Sequence, residues 1–267
     1  MISDSEVILA GMPSILPLEI EETILDLLAE DDKGHSALKT CSLVCHAFLP
    51  ICRKHIFGSI VLSNDHKMVS ASTPHAFERL LRKTPEIADY IHKLELDCRI
   101  QFTDLPIQES LKRISRLKFL TISHHYGRFW ERLDWSNNSI RSALLHLLHL
   151  PTLTHFKMSD IDNFVISDLI PCVNLKYLDI GSFTTVAAEN AFPAVLPEHS
   201  IQPNEFVARS GTSGAIKKLC TARRPDGQPI INFGSLSKIT VDIEEREAPQ
   251  ELLRCCHVLT NAKISCK

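Results

Sequence analysis

The chain has 267 residues, 44% hydrophobic and 23% charged, which suits one large globular domain or two modest ones and excludes a disordered chain. A formal net charge of −3 offers no basic field to gather nucleic acid and no acidic tail. The opening MISDSEVILAGMPS has Asp4 and Glu6 where a secretory leader needs basic residues, and no stretch reaches the ~18 to 20 apolar residues of a membrane span.

The nine cysteines are odd in number and scattered, which predicts reduced thiols and a cytoplasmic or nuclear protein without a membrane anchor. Asn137-Asn138-Ser139 fits a glycosylation sequon, a three-residue match with no meaning in that compartment.

Residues 1–13 read as a flexible N-terminus, followed by a helical module over 14–58. Pro17 suits a first helical turn because its missing N–H is not needed there. Glu19, Glu21 and Glu22 favour the positive helix end, and Ile20, Ile24, Leu27 and Leu28 form one apolar stripe. Asp31-Asp32-Lys33-Gly34 breaks the pattern, with Gly34 as terminator. A second stripe follows at Leu38, Cys41, Cys45 and Phe48, and after Pro50 a third short helix spans Ile51 to Phe57. Three short helices bury little apolar area, so such a module gains from a partner.

Residues 59–267 repeat one pattern, with apolar residues at relative positions 0, +3 and +5. The triples are Phe57/Ile60/Leu62, Ile91/Leu94/Leu96, Leu117/Leu120/Ile122, Leu153/Phe156/Met158, Leu175/Leu178/Ile180, Leu236/Ile239/Val241 and a weaker Leu259/Ala262/Ile264. Positions +3 and +5 alternate as in a strand. Helix-like stretches precede most triples: Ala76 to Arg82, Gln108 to Ile114, Ile140 to Leu150, Phe164 to Ile170 and Gln250 to Cys255. One strand and one helix per unit, with L-x-x-L-x-L at the strand, resembles the leucine-rich repeat. The first residues lie 34, 26, 36, 22, 61 and 23 apart, so the repeat is irregular, and the usual asparagine after the last leucine is missing. The other reading is a plain α/β domain with buried strands. The interval of 61 holds a Pro/Gly-rich insert at about 183–228, expected as a partly disordered loop, with at most a cryptic unit around Ala215 to Leu219.

Several eye-catching motifs have plainer explanations. Cys41, Cys45, His46, Cys52 and His55 invite a zinc reading, but Cys41 and Cys45 share a face with Leu38 and Phe48, and no C-x-x-C pair exists. Gly211-Thr212-Ser213-Gly214-Ala215 resembles a degraded nucleophile elbow, with Asp226 or Asp242 and His257 as conceivable partners, yet no convincing strand precedes it. His124-His125, His146, His149 and His155 read as solvated residues. Trp130 and Trp135, with Tyr126 and Phe129, are expected to pack under a long insertion. No cofactor, metal or catalytic residue is predicted.

The segment Leu16 to Phe57 carries a family resemblance. LPLEIEETILDLL, ALKTCSLVCHAF and LPICRKHIF, in that order, resemble an F-box, with phrasing similar to the F-box proteins of mushroom-forming fungi. The matching features are Leu16-Pro17, Glu19-Ile20, Ile24-Leu25, Leu28, then Val44-Cys45 and Phe48. Phe48 stands where many members have tryptophan, and the loop from Glu30 to Ala37 is longer than the common pattern. The resemblance implies docking on a Skp1-type adaptor and, through it, on a cullin, by burial of an apolar helix face. The implied adaptor-binding residues are Leu16, Pro17, Ile20, Ile24, Leu28, Val44 and Phe48, with core and contact positions not separable from sequence.

The expected fold class is therefore α/β: an N-terminal three-helix F-box, then an irregular leucine-rich-repeat-like solenoid. The expected function is substrate recognition for an SCF-type ubiquitin ligase, acting by proximity and without catalysis; the alternative is a repeat-built scaffold outside any ligase. If positions 0, +3 and +5 point inward, then +2, +4 and +6 line the exposed strand face. That set contains Lys93, Glu95, Asp97, Phe119, Thr121, Ser123, His155, Lys157, Tyr177, Asp179, Lys238, Thr240 and Asp242, with Phe119 and Tyr177 as anchors for a target protein. Ile264 sits close to the last residue, so either a truncated chain or an open terminal strand is expected.

Overall fold

The computed structural model describes residues 17–30, 34–44, 46–63, 72–97, 105–124, 133–182, 184–187, 192, 195–243 and 247–266. The chain divides into two compact units, Met1–Gly58 and Ser59–Lys267.

The first unit contains α1 (Leu18–Glu30), α2 (Gly34–Val44) and α3 (Phe48–Ile56). The carbonyl of Pro17 accepts the amides of Ile20 (3.0 Å) and Glu21 (3.2 Å), which starts α1. Glu19 and Glu21 sit in its first turn, at the positive end of the helix. Leu25, Leu38, Ile51 and Cys52 form the core, with Leu28, Ala29, Cys41, Phe48 and Ile56 packed partly against it. Asp26 on α1 accepts from His55 Nε2 on α3 at 2.7 Å. Gly34 opens α2 rather than closing α1; α1 ends at Glu30, and residues 31–33 lie outside the described residues.

The second unit is mixed α/β around a large parallel sheet. Eight strands form it: β1 (Ser59–Leu62), β2 (Lys93–Asp97), β3 (Phe119–Ser123), β4 (His155–Ser159), β5 (Tyr177–Ile180), β6 (Glu205–Ala208), β7 (Lys238–Ile243) and β8 (Asn261–Cys266). All pairs are parallel and the spatial order equals the chain order. The helices are α4 (Pro74–Lys83), α5 (Leu105–Lys112), α6 (Arg141–Leu148), α7 (Ser213–Thr221) and α8 (Glu247–Arg254). α4 packs on α5, α5 on α6, and α7 on α8. Thr73 caps α4 by accepting the Ala76 amide at 3.3 Å, and Pro74 occupies its first turn. Phe164 to Ile170, expected as helical, is a two-residue strand followed by a 3₁₀ turn, Ile166–Leu169.

The 0, +3 and +5 residues of the triples starting at Ile91, Leu117, Leu153, Leu175 and Leu236 are all buried. Each such side chain contributes about 1.5–3 kcal/mol by leaving water. Position +1 supplies a second regularity. The amides of Lys118, Thr154, Lys176, Asn204, Ser237 and Thr260 each donate to the +1 carbonyl of the preceding unit, at 2.8 to 3.0 Å, beginning from His92.

Asn204 belongs to a unit that the sequence reading missed. The region 183–228 is not one loop: it contains β6 and α7. Pro203, Phe206 and Ala208 occupy positions 0, +3 and +5, and all three are buried. The 61-residue interval thus becomes 28 and 33. Proline and alanine dilute the leucine signature, and the surrounding breakers mask it. The cryptic unit's helix does lie where residues 215–219 were singled out. β8 is the last strand in the sheet order, and its residues 261–265 are all exposed.

Candidate functional site: two interaction faces

On the first unit, the apolar residues of α1 and α2 separate into two sets. Leu25 faces the core, while Leu18, Ile20, Ile24 and Leu27 on α1 and Leu43 and Val44 on α2 are exposed, Ile24 at 49% and Val44 at 73%. Six large apolar side chains in water are many for so small a unit. Of the residues expected to bind an adaptor, Pro17, Ile20, Ile24 and Val44 are exposed. Leu28 and Phe48 instead pack against the core, because their helix positions turn them toward Leu25 and Ile51. Leu16 lies outside the described residues. Leu18, Leu27 and Leu43, each beside a residue of the expected pattern, are exposed as well.

On the second unit, the register brings the expected target-binding residues into rows. Lys93, Phe119, His155, Tyr177, Glu205 and Lys238 are successive partners across the sheet. Glu95, Thr121, Lys157, Asp179, Val207 and Thr240 form the next row. Phe119, His155 and Tyr177 make an aromatic ladder: the first two rings are 4.2 Å apart, the second and third 5.5 Å and stacked. Phe119 is 39% exposed, and His155 and Tyr177 are half-buried. Lys93 and Lys238 are exposed; Glu95, Thr121, Lys157, Thr240 and Asp242 are half-buried. Desolvation holds the His155 imidazole below its ordinary pKa, against the opposing pull of Glu205. Burial first, then Asp179, pushes the Tyr177 phenol up to about 12.

Three residues placed on the exposed face by their parity are buried. Asp97 accepts from Ser63 Oγ at 2.8 Å, Ser123 is buried beside it in the +6 row, and Asp179 is only 1% exposed. Three side chains crowd Asp179 Oδ2: Tyr177 OH donates at 3.3 Å, with Arg209 Nη2 at 3.6 Å and Lys157 Nζ at 4.0 Å. Its other oxygen, Oδ1, is buried with no hydrogen-bond partner. Arg209 was missed with the unit that carries it; the spacing Pro203/Phe206/Ala208 is the signal that finds it. Glu205 and Lys238 pair at 2.6 Å.

Trp135 is fully buried, donates Nε1–H to Asp168 Oδ2 at 2.7 Å and packs on Phe164 at 4.8 Å. Tyr126, Phe129 and Trp130 lie outside the described residues. A strand, β6, does precede Gly211, contrary to the sequence reading, and α7 begins within the segment at Ser213. Ser213 is nevertheless buried and makes no hydrogen bond to His257, whose ring lies against Gly234. Cys41 and Cys52 pack in the helical core, and among the described residues no group of His, Cys, Asp and Glu could hold a metal. No described helix is long and apolar enough to cross a membrane.

Compared with models of protein families and with curated proteins, the chain matches none.

Proposed function

We propose that this protein is a substrate-recognition subunit of an SCF-type ubiquitin ligase. Its first unit is read as an F-box that docks on a Skp1-type adaptor and, through it, on a cullin. Its second unit is read as an irregular leucine-rich-repeat-like solenoid whose open strand face holds a target protein. The observation that carries the reading is the set of exposed apolar side chains, Ile20, Ile24 and Leu27 on one face of α1 and Leu43 and Val44 at the end of α2, on a three-helix unit with a separate core of its own. Such a face costs solubility unless a partner's apolar helices cover it. Strictly sequential parallel strand order and the +1 amide ladder support the solenoid reading, since both follow when each unit stacks only on its neighbour. The mechanism is proximity: one face holds the ligase, the other the target, and transfer becomes effectively intramolecular. The chain itself contributes no acid, base or nucleophile.

The test is a calorimetric titration of the purified chain with a purified Skp1-type adaptor, beside a melting curve. Saturable binding at micromolar or lower concentration is expected. A well-folded chain with no binding at tens of micromolar overturns the ligase reading and leaves a repeat-built interaction scaffold.

A further inference from the structure

We propose that the target segment held on the open strand face presents a carboxylate side chain to Lys157 and Arg209, with an apolar side chain beside it on the Phe119/His155/Tyr177 ladder. The inference rests on the target-recognition reading above and specifies the chemistry of that site.

Lys157 and Arg209 both direct their cations at one buried oxygen, Asp179 Oδ2, and both remain open to solvent, at 43% and 52%. Two cations against one carboxylate leave the spot with one positive charge in excess. The nearby acid Glu205 is already held by Lys238 at 2.6 Å, and Asp242, one strand beyond Arg209, is partnered too. The separations of 3.6 and 4.0 Å are long for ion pairs, so neither cation is saturated by Asp179. An arriving carboxylate completes both without displacing either.

Charge decides between two anions. A carboxylate neutralises the excess, whereas a phosphate, with about −1.5 to −2, overshoots it and is repelled by the buried Asp179 beneath. A lysine or arginine on the target meets two cations before it reaches Asp179. The ladder fixes the second requirement. Tyr177 and Asp179 are two residues apart on β5, so the ladder and the charged spot lie about 7 Å apart. An extended segment spans that distance with an acidic and an apolar residue at positions i and i+2. Two stacked rings with an exposed edge residue, Phe119, offer the apolar contact.

The experiment uses the full chain without adaptor, and short fluorescent synthetic peptides carrying Glu-x-Phe, Gln-x-Phe, phosphoserine-x-Phe or Lys-x-Phe among randomised flanks. Glu-x-Phe should be retained about tenfold better than Gln-x-Phe, and phosphoserine should not exceed glutamate. Lys157→Met with Arg209→Met should abolish the preference. Asp179→Asn, which is isosteric and removes the competing charge, should tighten Glu-x-Phe binding several-fold. A purely structural ion cluster predicts no such gain, so this variant separates binding from folding. Equal retention of Glu and Gln peptides, a preference for phosphoserine or lysine, or a preference that survives the double variant overturns the proposal. The same preparations are titrated with the adaptor: failure of peptide selection with adaptor binding intact removes only this inference, and the reverse removes only the ligase reading.

Discussion

Trp135 and Asp168 are joined by an indole N–H to carboxylate bond of 2.7 Å, and the same oxygen accepts from Arg141 Nη2 at 3.0 Å. One carboxylate therefore ties the segment before α6 and the helix itself to the turn before β5. Trp135 is fully buried, so its N–H has no recourse to water.

Asp168→Ala leaves that buried donor unpaired and should destabilise the chain by about 1–3 kcal/mol. Trp135→Ala removes the ring as well and should cost about 3–5 kcal/mol. Chemical denaturation measures both. An Asp168→Ala variant as stable as the parent would show that the bond contributes nothing net.

The first unit separates exposed apolar residues from core ones. Ile24→Ser with Val44→Ser alters only exposed side chains, so melting should be unchanged while adaptor affinity falls by at least about tenfold. Leu25→Ala should instead lower stability by about 2–5 kcal/mol, because Leu25 is in the core. Leu16→Ala with Pro17→Ala should also weaken the adaptor complex about tenfold, roughly 1.4 kcal/mol. If the Ile24/Val44 variant binds as the parent does, the apolar face has another use.

How much was legible in the sequence follows from the strength of each periodic signal. Leucine triples such as Leu117/Leu120/Ile122 name a strand and its buried parity at once, and the structure buries all three. Pro203/Phe206/Ala208 obeys the same spacing but carries one leucine-like residue, so the unit around β6 and Arg209 stayed hidden. Parity alone also could not foresee Asp179, which is buried with Lys157, Tyr177 and Arg209 gathered on its Oδ2 from three strands or their ends. On α1, the stripe Ile20/Ile24/Leu28 is visible as a pattern, yet only packing reveals that Leu28 turns inward while Ile20 and Ile24 stay out.

The ladder has a pH signature. His155 lies between Phe119 and Tyr177, with Thr154 Oγ1 2.8 Å from its Nδ1, and burial holds its pKa below 6.5 although Glu205 opposes the shift. As pH falls through 6.5, the unfolded chain takes up this proton before the folded chain does, so stability drops; above 6.5 the two states agree and the loss vanishes. Melting temperature should decline from about pH 7 toward about pH 5.5, less steeply in His155→Gln than in the parent. A His155 titration midpoint above 6.5 by NMR would falsify this.

Gly181 sits where the chain leaving β5 passes close against β4. It follows Ile180, and its amide donates to Met158 O at 2.6 Å. A Cβ at this position would run into the Cβ of Ser159 and stand 2.9 Å from Met158 O. Neither can retreat cheaply: one is the root of a side chain, the other is backbone within a strand. Gly181→Ala should therefore cost about 1–3 kcal/mol. Ser159→Gly removes the side-chain obstacle but not the carbonyl, so in that background the same change should cost less, though still something. The double-mutant cycle reads the difference as a coupling between the two positions. Gly214 is the control: it lies in α7 with open space around its Cβ position, and Gly214→Ala should stabilise by up to about 1 kcal/mol. If Gly181→Ala melts at the parent temperature while Gly214→Ala gains stability, the close approach of the two strands is not what requires glycine there.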